Sequence, residues 1–454
     1  FDKAAGYMAE APEAGFSSLI APMVSAWVNI GRGRKEAPAE LSRLAQGTPL
    51  GPLYRYHAAL IHDLAGRPAD AEAHFKEILE RNTAGTLRMV DAYGRLLERQ
   101  GRRDDAQKVY RDYLARQPDN PVITAAMQRL GQGAVPAPLI ADSAAGLAEA
   151  FYGTAANLNR EESGETQEAY LQLALYLVPN LDVARMLLGD IYEGRRNWEL
   201  AISSYRGIPR SSPYSEVTRI RLAWASNELG RPDEAIAALR DVAAADGERT
   251  EALVTLGDVL RAKDRFLEAA AEYGRAIERV GRPEERHWSL FYARGIAFER
   301  GKQWPRAEAD FLKALELRPD QPLVLNYLGY TWVDKGMRLD EARRMIQRAV
   351  ELRPNDGYIV DSLGWVLFRL GRFSEAVSQL ERAVELRPED PVINDHLGDA
   401  YWRVGRQAEA RFQWRRALNL KPEADLIPII RNKLEVGLGA PSSAAVKRTG
   451  RNGG

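Results

Sequence analysis

The sequence predicts an all-α solenoid, a stack of similar helical hairpins, and three recurring features lead to this prediction. The segments around Gly329, Gly364 and Gly398 resemble one another and follow at intervals of 35 and 34 residues. An alanine recurs twelve or thirteen residues after each of these glycines, and a proline recurs near the end of each unit. A period of this length is typical of two-helix repeats, which bury their apolar faces only against neighbouring repeats.

Eleven units follow from aligning the small residue at the eighth position of each repeat. These residues are Val24, Ala59, Gly94, Ala155, Gly189, Ala223, Gly257, Gly295, Gly329, Gly364 and Gly398. Most steps are 34 or 35 residues, but the step into Gly295 is 38 and the step into Ala155 is 61. Because a stack needs no single large core, this organisation also suits a chain of 454 residues.

The second helix of each unit carries a small residue and, four positions later, a large one. The small residues are Ala71, Ala106, Ala201, Ala235, Ala269, Ala307, Ala342, Ala376 and Ala410. The large residues are Phe75, Tyr110, Tyr205, Tyr273, Phe311, Leu380 and Trp414. Gly or Ala on both helices lets the two backbones approach closely where they cross, and the large residues are expected to fill the space between repeats.

Glycine and proline mark the two ends of each second helix. Glycines seven positions after the small residue predict the turn inside the hairpin: Gly31, Gly66, Gly101, Gly230, Gly336, Gly371 and Gly405. Prolines end the second helix, because proline lacks the amide hydrogen and disfavours helix in the residue before it. They are Pro118, Pro179, Pro319, Pro354, Pro388 and Pro422.

Residues 121–147 interrupt the repeat pattern. VITAAMQRL predicts an extra helix and GQGAVPAP a loop, so the insertion is either a cap that ends a first block or a hinge between two solenoids. The predicted organisation is an N-terminal block over 1–120, the insertion, a second solenoid over 148–422, a capping helix over 423–437 and a disordered tail over 438–454.

The two ends of the chain carry further predictions. Residues 1–4 match the start of a second helix, so the chain is expected to begin in mid-repeat, with upstream sequence removed. Near the other end, Leu426, Ile429, Ile430 and Leu434 recur at helical spacing and predict the packed face of the capping helix.

Composition and motifs predict no catalytic chemistry, metal site or cofactor. Lys plus Arg and Asp plus Glu both number 63, so the charge balance gives no reason to expect nucleic acid as a partner. There is no cysteine, and the longest apolar stretch, 18–30, is shorter than the roughly 20 residues needed to span a bilayer. The five histidines lack metal-ligand spacing, and no phosphate-binding loop or nucleophile elbow occurs.

The pattern of small, large, small and proline residues resembles the tetratricopeptide repeat (TPR) family. The resemblance is strongest from Thr250 to Pro422, and it implies a right-handed solenoid whose concave groove is lined by positions 2, 5, 9 and 12 of each first helix. In the last four units, it places these candidate binding residues in the groove: Tyr292, Asn326, Tyr330, Tyr358, Asp361, Trp365, Phe368, Asp395, Asp399 and Trp402.

The chemistry of these ten residues predicts a polypeptide partner. Exposed aromatic side chains supply anchor area at low entropic cost, and carboxylates among them favour a partner with apolar and basic residues. Alternatively, Trp365 and Phe368 only pack between adjacent first helices. Chaperone-binding members of the family hold a C-terminal carboxylate in the groove, and Asp361, Asp395 and Asp399 would repel such a group. The same three carboxylates would repel RNA phosphates.

The order of the last four units resembles bacterial multi-repeat proteins, many of them exported and some anchored in the outer membrane. That resemblance implies a non-catalytic scaffold or adaptor in the periplasm or on the periplasmic face of the outer membrane, holding a protease or cell-envelope enzyme near its substrates. Two alternatives stay open: the regulatory arm of an enzyme whose catalytic domain precedes this segment, and a cytoplasmic assembly factor.

Overall fold

The structure is a computed structural model, and it describes residues 16–34, 37–46, 50–81, 86–158, 160–245 and 250–439. The predicted mid-repeat start and nearly all of the predicted disordered tail lie outside these ranges. All regular secondary structure in the described ranges is helical, which confirms the predicted fold class.

The chain divides into two compact units, Phe1–Asp246 and Gly247–Gly454. The helices of the first unit are α1 (Phe16–Gly31), α2 (Ala37–Leu44), α3 (Gly51–Leu64), α4 (Pro68–Arg81), α5 (Leu87–Arg99), α6 (Arg103–Leu114), α7 (Pro121–Gln132), α8 (Ser143–Asn157), α9 (Arg160–Leu177), α10 (Asp182–Gly194), α11 (Trp198–Arg206), α12 (Ser215–Glu228) and α13 (Pro232–Ala245).

The second unit begins a new run of hairpins. Its helices are α14 (Glu251–Ala262), α15 (Phe266–Val280), α16 (Trp288–Arg300), α17 (Trp304–Leu317), α18 (Pro322–Asp334), α19 (Leu339–Leu352), α20 (Gly357–Arg369), α21 (Phe373–Leu386), α22 (Pro391–Arg403), α23 (Gln407–Asn419) and α24 (Leu426–Val436). A 3-10 turn at Glu285–His287 precedes α16.

Eleven pairs of consecutive helices pack as hairpins, in the register that the sequence predicts. Two described helices stand outside these pairs: α7, which packs on α5 and α6, and α24, which follows the last hairpin. The interruption at 121–147 lies inside the first compact unit, and the boundary between the units falls at Asp246. Whether the insertion acts as a hinge stays a prediction.

The large residue of each second helix packs over the small residue of its own hairpin. A β-carbon added to Gly364 would lie 2.5 Å from Leu380 Cγ, and one added to Gly295 would lie 2.7 Å from the Phe311 ring. They occupy the volume that the missing side chain leaves, which is why this position is restricted to glycine or alanine in most units. Two of them also fill the space between repeats, as the sequence predicts: Phe75 meets Tyr93 and Phe311 meets Tyr327 of the next repeat, with ring centroids 5.4 and 5.2 Å apart.

Left-handed backbone at the hairpin turn confirms six of the seven predicted turn glycines. Gly371 has a φ of 77° and Gly405 has a φ of 85°, as expected for a helix that ends in glycine. The prediction for Gly31 is wrong, because this residue is the last of α1 and Gly33 takes the left-handed conformation. Where no glycine is present, Arg196, Asp264 and Lys302 adopt positive φ instead.

No helix in the described part of the chain combines the length and the apolar character needed to cross a bilayer.

Candidate functional site

The inner side of the first three hairpins is occupied by a helix of the chain itself. Helix α8 packs against α1 and α3, and α1 precedes it by more than a hundred residues in the sequence. Gly146 of α8 lies against the Trp27 ring, where a β-carbon would overlap the indole, and a β-carbon at Gly153 would lie 3.1 Å from Leu53. Small residues on α8 therefore let it sit close to the first helices.

Glu149 fixes α8 in this position. Its side chain is 1 % exposed, accepts hydrogen bonds from Tyr56 Oη at 2.9 Å and Arg88 Nε at 2.9 Å, and pairs with the Arg88 guanidinium. Burial alone would raise the pKa of Glu149, but Arg88 outweighs it and holds this pKa below its ordinary value. Any hinge motion at 121–147 would have to break this pair.

The first helices of the second unit form a separate surface. Helices α18 and α20 contact each other, as do α20 and α22, so positions 2, 5 and 9 of these helices lie side by side. Among the predicted site residues, Tyr358 is exposed, and the partly exposed ones are Tyr292, Asn326, Tyr330, Trp365, Phe368 and Trp402. The three carboxylates Asp361, Asp395 and Asp399 are buried.

Asp361 is paired with His396, which is not among the predicted site residues. His396 Nδ1 lies 2.9 and 3.1 Å from the two Asp361 oxygens, and its ring stacks on Trp365 with centroids 4.1 Å apart. Burial alone would lower the pKa of His396, but Asp361 outweighs it and raises this pKa above its ordinary value. The spacing of 35 residues, one repeat, is the signal that could have linked the two.

Asp395 and Asp399 are paired with a lysine of the terminal helix. Lys433 Nζ of α24 lies 2.7 Å from Asp395 Oδ2 and 2.8 Å from Asp399 Oδ2. The Trp414 indole donates to Asp399 Oδ1 at 2.9 Å. The sequence predicts that these carboxylates face a partner's basic groups; instead both share one ammonium of the chain's own terminal helix.

The packed face of α24 differs from the predicted one. Ile430 and Lys433 are buried, whereas Ile429 is 51 % exposed. The chain then closes over Trp402, because Gly437 lies against this indole and Arg411 stands over it with Cζ 5.5 Å from the ring centroid. Trp402 therefore lies under the end of the terminal helix.

Trp365 and Phe368 stack on one another with centroids 5.0 Å apart and planes inclined by 9°. Phe368 also meets Phe373 edge to face at 5.3 Å, and Trp365 meets His396 of the next first helix. Both rings thus pack against neighbouring elements, as the alternative interpretation of Trp365 and Phe368 predicts. Both also stay partly exposed. Their use by a partner stays a prediction.

An exposed apolar row crosses three successive hairpins. Leu323, Tyr358 and Val392 are each the second residue of their helix, α18, α20 and α22, and they are 36 %, 52 % and 41 % exposed. Of the three, only Tyr358 is among the predicted site residues, although the register places Leu323 and Val392 at the same position. The Arg387 guanidinium stands over the Tyr358 ring at 5.2 Å. These three residues are called the apolar row below.

Comparison with known proteins agrees with the repeat register. A family model described as TPR repeat matches residues 364–405. Models described as tetratricopeptide repeat match residues 220–281, 254–322 and 292–357, and also 87–131 and 52–77. Together these ranges take in more than half of the chain.

One curated relative, a TPR repeat-containing protein of Pseudomonas aeruginosa, is 26 % identical over 196 residues. That match covers 43 % of this chain and 32 % of the relative, about a third of its length. Among solved structures, a tetratricopeptide repeat protein from Parabacteroides merdae is 16 % identical with a TM-score of 0.44, covering 57 % of this chain and 99 % of that one. The Cut9–Hcn1 hetero-tetramer of the APC/C is 15 % identical with a TM-score of 0.46, covering 91 % and 89 %.

Proposed function

The chain belongs to the tetratricopeptide repeat family, and we propose that it is a protein-interaction scaffold whose second unit binds a polypeptide segment across its first helices. The apolar row carries this proposal. Three large apolar side chains repeat at one position of three successive helices, and each is left open to solvent. Large apolar side chains grouped on a surface are typical of interaction sites, whereas scattered single ones are not.

The geometry favours an extended or helical segment that runs across the stack. Adjacent packed helices lie about 8–10 Å apart, so Leu323, Tyr358 and Val392 offer regularly spaced contacts along the stack. The partly exposed Tyr330 and Trp365, one or two turns further along the same helices, would widen the contact. Aromatic residues of this kind often dominate binding energy.

The structure supports a partner with apolar residues better than it supports a partner with basic residues. Asp361, Asp395 and Asp399 already have partners within the chain, so an exposed acidic patch does not follow from them. The first unit contributes less to this proposal, because α8 fills the inner side of its first hairpins.

The wider role proposed is that of an adaptor in the cell envelope. Following the resemblance to exported multi-repeat proteins, the bound segment would belong to a protease, a cell-wall enzyme or one of their substrates. The scaffold would then raise the local concentration of one protein near the other, with no chemistry of its own.

Peptide selection on the purified chain tests the proposal. Peptides selected from a displayed random library would be measured by fluorescence anisotropy against the native chain and a variant carrying Leu323→Ser, Tyr358→Ser and Val392→Ser. We expect affinity to fall at least tenfold, or about 1.4 kcal/mol. The matched control carries Leu267→Ser and Leu312→Ser, which are comparably exposed but lie on the second helices α15 and α17.

The controls decide how the result is interpreted. Circular dichroism and thermal melting should be alike for the three proteins, because the substituted side chains are exposed. Selected peptides that bind the row variant as tightly as the native chain, or that lose affinity only in the control, would refute the assignment of the apolar row.

A further inference from the structure

We infer that the acidic pair Asp395 and Asp399 is a binding site for a lysine-bearing amphipathic helix, and that α24 is its occupant within the chain. This inference rests on the proposed function, since it assigns a partner chemistry to the C-terminal end of the same row of first helices. A partner helix of matching chemistry would compete with α24 for this site.

The contacts of Lys433 define the recognition chemistry. One ammonium bridges two carboxylates at 2.7 and 2.8 Å, at a point where all three side chains are nearly inaccessible to solvent. Burial alone would lower the pKa of Lys433, but Asp399 and Asp395 outweigh it and raise this pKa above its ordinary value. The site therefore selects a cation.

The acidic site is not fully satisfied by its present occupant. Three carboxylates lie together here, those of Asp361, Asp395 and Asp399, against the single amine of Lys433 and the imidazole of His396. Asp395 is 4 % exposed, and its Oδ1 atom has no hydrogen-bond donor. Burial raises the pKa of Asp399 to about 6, with Lys433 offsetting only part of that effect. Negative charge in excess makes a cationic ligand favourable.

Helix α24 is held by few contacts besides this pair. Within it only Ile430 and Lys433 are buried, whereas α22 buries nine residues. Val436 is 71 % exposed. The other contacts that keep α24 in place include hydrogen bonds from Arg411 to the Leu434 carbonyl and from Arg403 to the Gly439 carbonyl. Elements with few buried apolar contacts open at the low end of a protein's free-energy range. An exchange of helices at this site is therefore feasible.

The occupant also specifies the shape of a competing helix. Ile430 lies three residues before Lys433, so an apolar side chain and an ammonium must share one face. Gly437 lies four residues after Lys433 with a φ of 76°, and a β-carbon there would overlap the Trp402 indole. A fitting partner helix thus carries an apolar residue, a lysine three positions later, and a C-terminal glycine four positions after the lysine.

A labelled peptide with the sequence of residues 423–439 tests this inference. It would be titrated into the full chain carrying Lys433→Ala, in which α24 has lost its ammonium and the acidic pair is free. We expect saturable binding, at least tenfold tighter than for the same peptide with alanine in place of its lysine. The full chain with Glu435→Ala, an exposed residue of α24, is the matched control and should bind as weakly as the native chain.

The native chain supplies a second measurement that does not depend on the folding of the variant. Excess lysine peptide should displace α24 and change the emission of Trp402 and Trp414, which lie against this site. The alanine peptide should not, and Asp399→Asn should abolish the response.

Equal binding of the two peptides, or no saturable binding to either protein, would overturn the inference. Because these measurements leave Leu323, Tyr358 and Val392 untouched, such a result would leave the proposed function of the apolar row standing. If the apolar-row variant binds its selected peptides as tightly as the native chain while the lysine peptide still binds, the inference stands and the proposed function of the apolar row fails.

Discussion

Glu149→Gln tests whether α8 is an integral part of the first unit. The substitution keeps the size of the side chain but removes its charge, and so leaves the Arg88 guanidinium, which is 15 % exposed, without its carboxylate partner. Removing one member of a buried ion pair typically costs about 3–5 kcal/mol. In a domain of this size each kcal/mol lowers the melting temperature by about 2–4 °C, so a decrease of roughly 6–20 °C is expected.

Urea denaturation and differential scanning calorimetry measure the effect. Because the chain has two compact units, two transitions are expected, and only the one belonging to Phe1–Asp246 should move. Trp27 lies against α8, so its emission gives a signal from the affected unit. The melting of the second unit serves as an internal reference in the same sample.

Two further variants complete the experiment. Glu199→Gln removes an exposed carboxylate of the same unit and should change its stability by less than about 0.5 kcal/mol. Combining Arg88→Met with Glu149→Leu removes both charges and should cost less than Glu149→Gln alone, since no buried charge is left unpaired. A Glu149→Gln protein that melts like Glu199→Gln would refute the assignment of α8 to the core of this unit.

Three other predictions concern single side chains. Burial lowers the pKa of His57 to about 4, below the roughly 6.5 of an unfolded chain, so the first unit should lose about 3 kcal/mol as pH falls from 6.5 to 4. Calorimetry across this range should show a shallower decline for His57→Gln, and parallel declines would contradict the reasoning. Lys302→Gly should stabilise the second unit by about 1 kcal/mol in urea titrations, since Lys302 has a φ of 60°; a lower midpoint would contradict it. Gly398→Ala should destabilise that unit by about 1–3 kcal/mol, because its β-carbon would lie 2.5 Å from the Trp414 ring; an unchanged midpoint would show that the ring can shift freely.

The repeat register was predictable from sequence because small residues mark each crossing of helices. Gly364 and Gly398 could be placed without a structure, since a larger side chain would meet Leu380 or Trp414. Turn glycines such as Gly371 were predictable for a similar reason, because few other residues adopt a positive φ at low cost. These are local requirements, which the chain repeats and which periodicity therefore shows.

The state of the candidate site was harder to predict. Position in the repeat indicated which face of α22 carries Asp395 and Asp399, but not whether that face is open. Their partner, Lys433, belongs to a helix outside the eleven aligned units, and a lysine on its packed face is unexpected from amphipathic patterning. Pairing across one repeat period, as between Asp399 and Lys433, is a pattern that sequence analysis could search for.

Helix α8 also affects how the first unit can fold. In an ordinary repeat array each unit contacts only its neighbours, so folding can begin anywhere and spread from one repeat to the next. Here the contact between α1 and α8 joins two helices that are far apart in sequence, which raises the contact order. The hairpins between them must be ordered, at a cost in entropy, before this contact can stabilise them. During synthesis, the surfaces of α1 and α3 that pack on α8 stay exposed until α8 has been synthesised. We therefore expect the first three hairpins and the α8–α9 hairpin, which α8 joins, to fold as one cooperative unit.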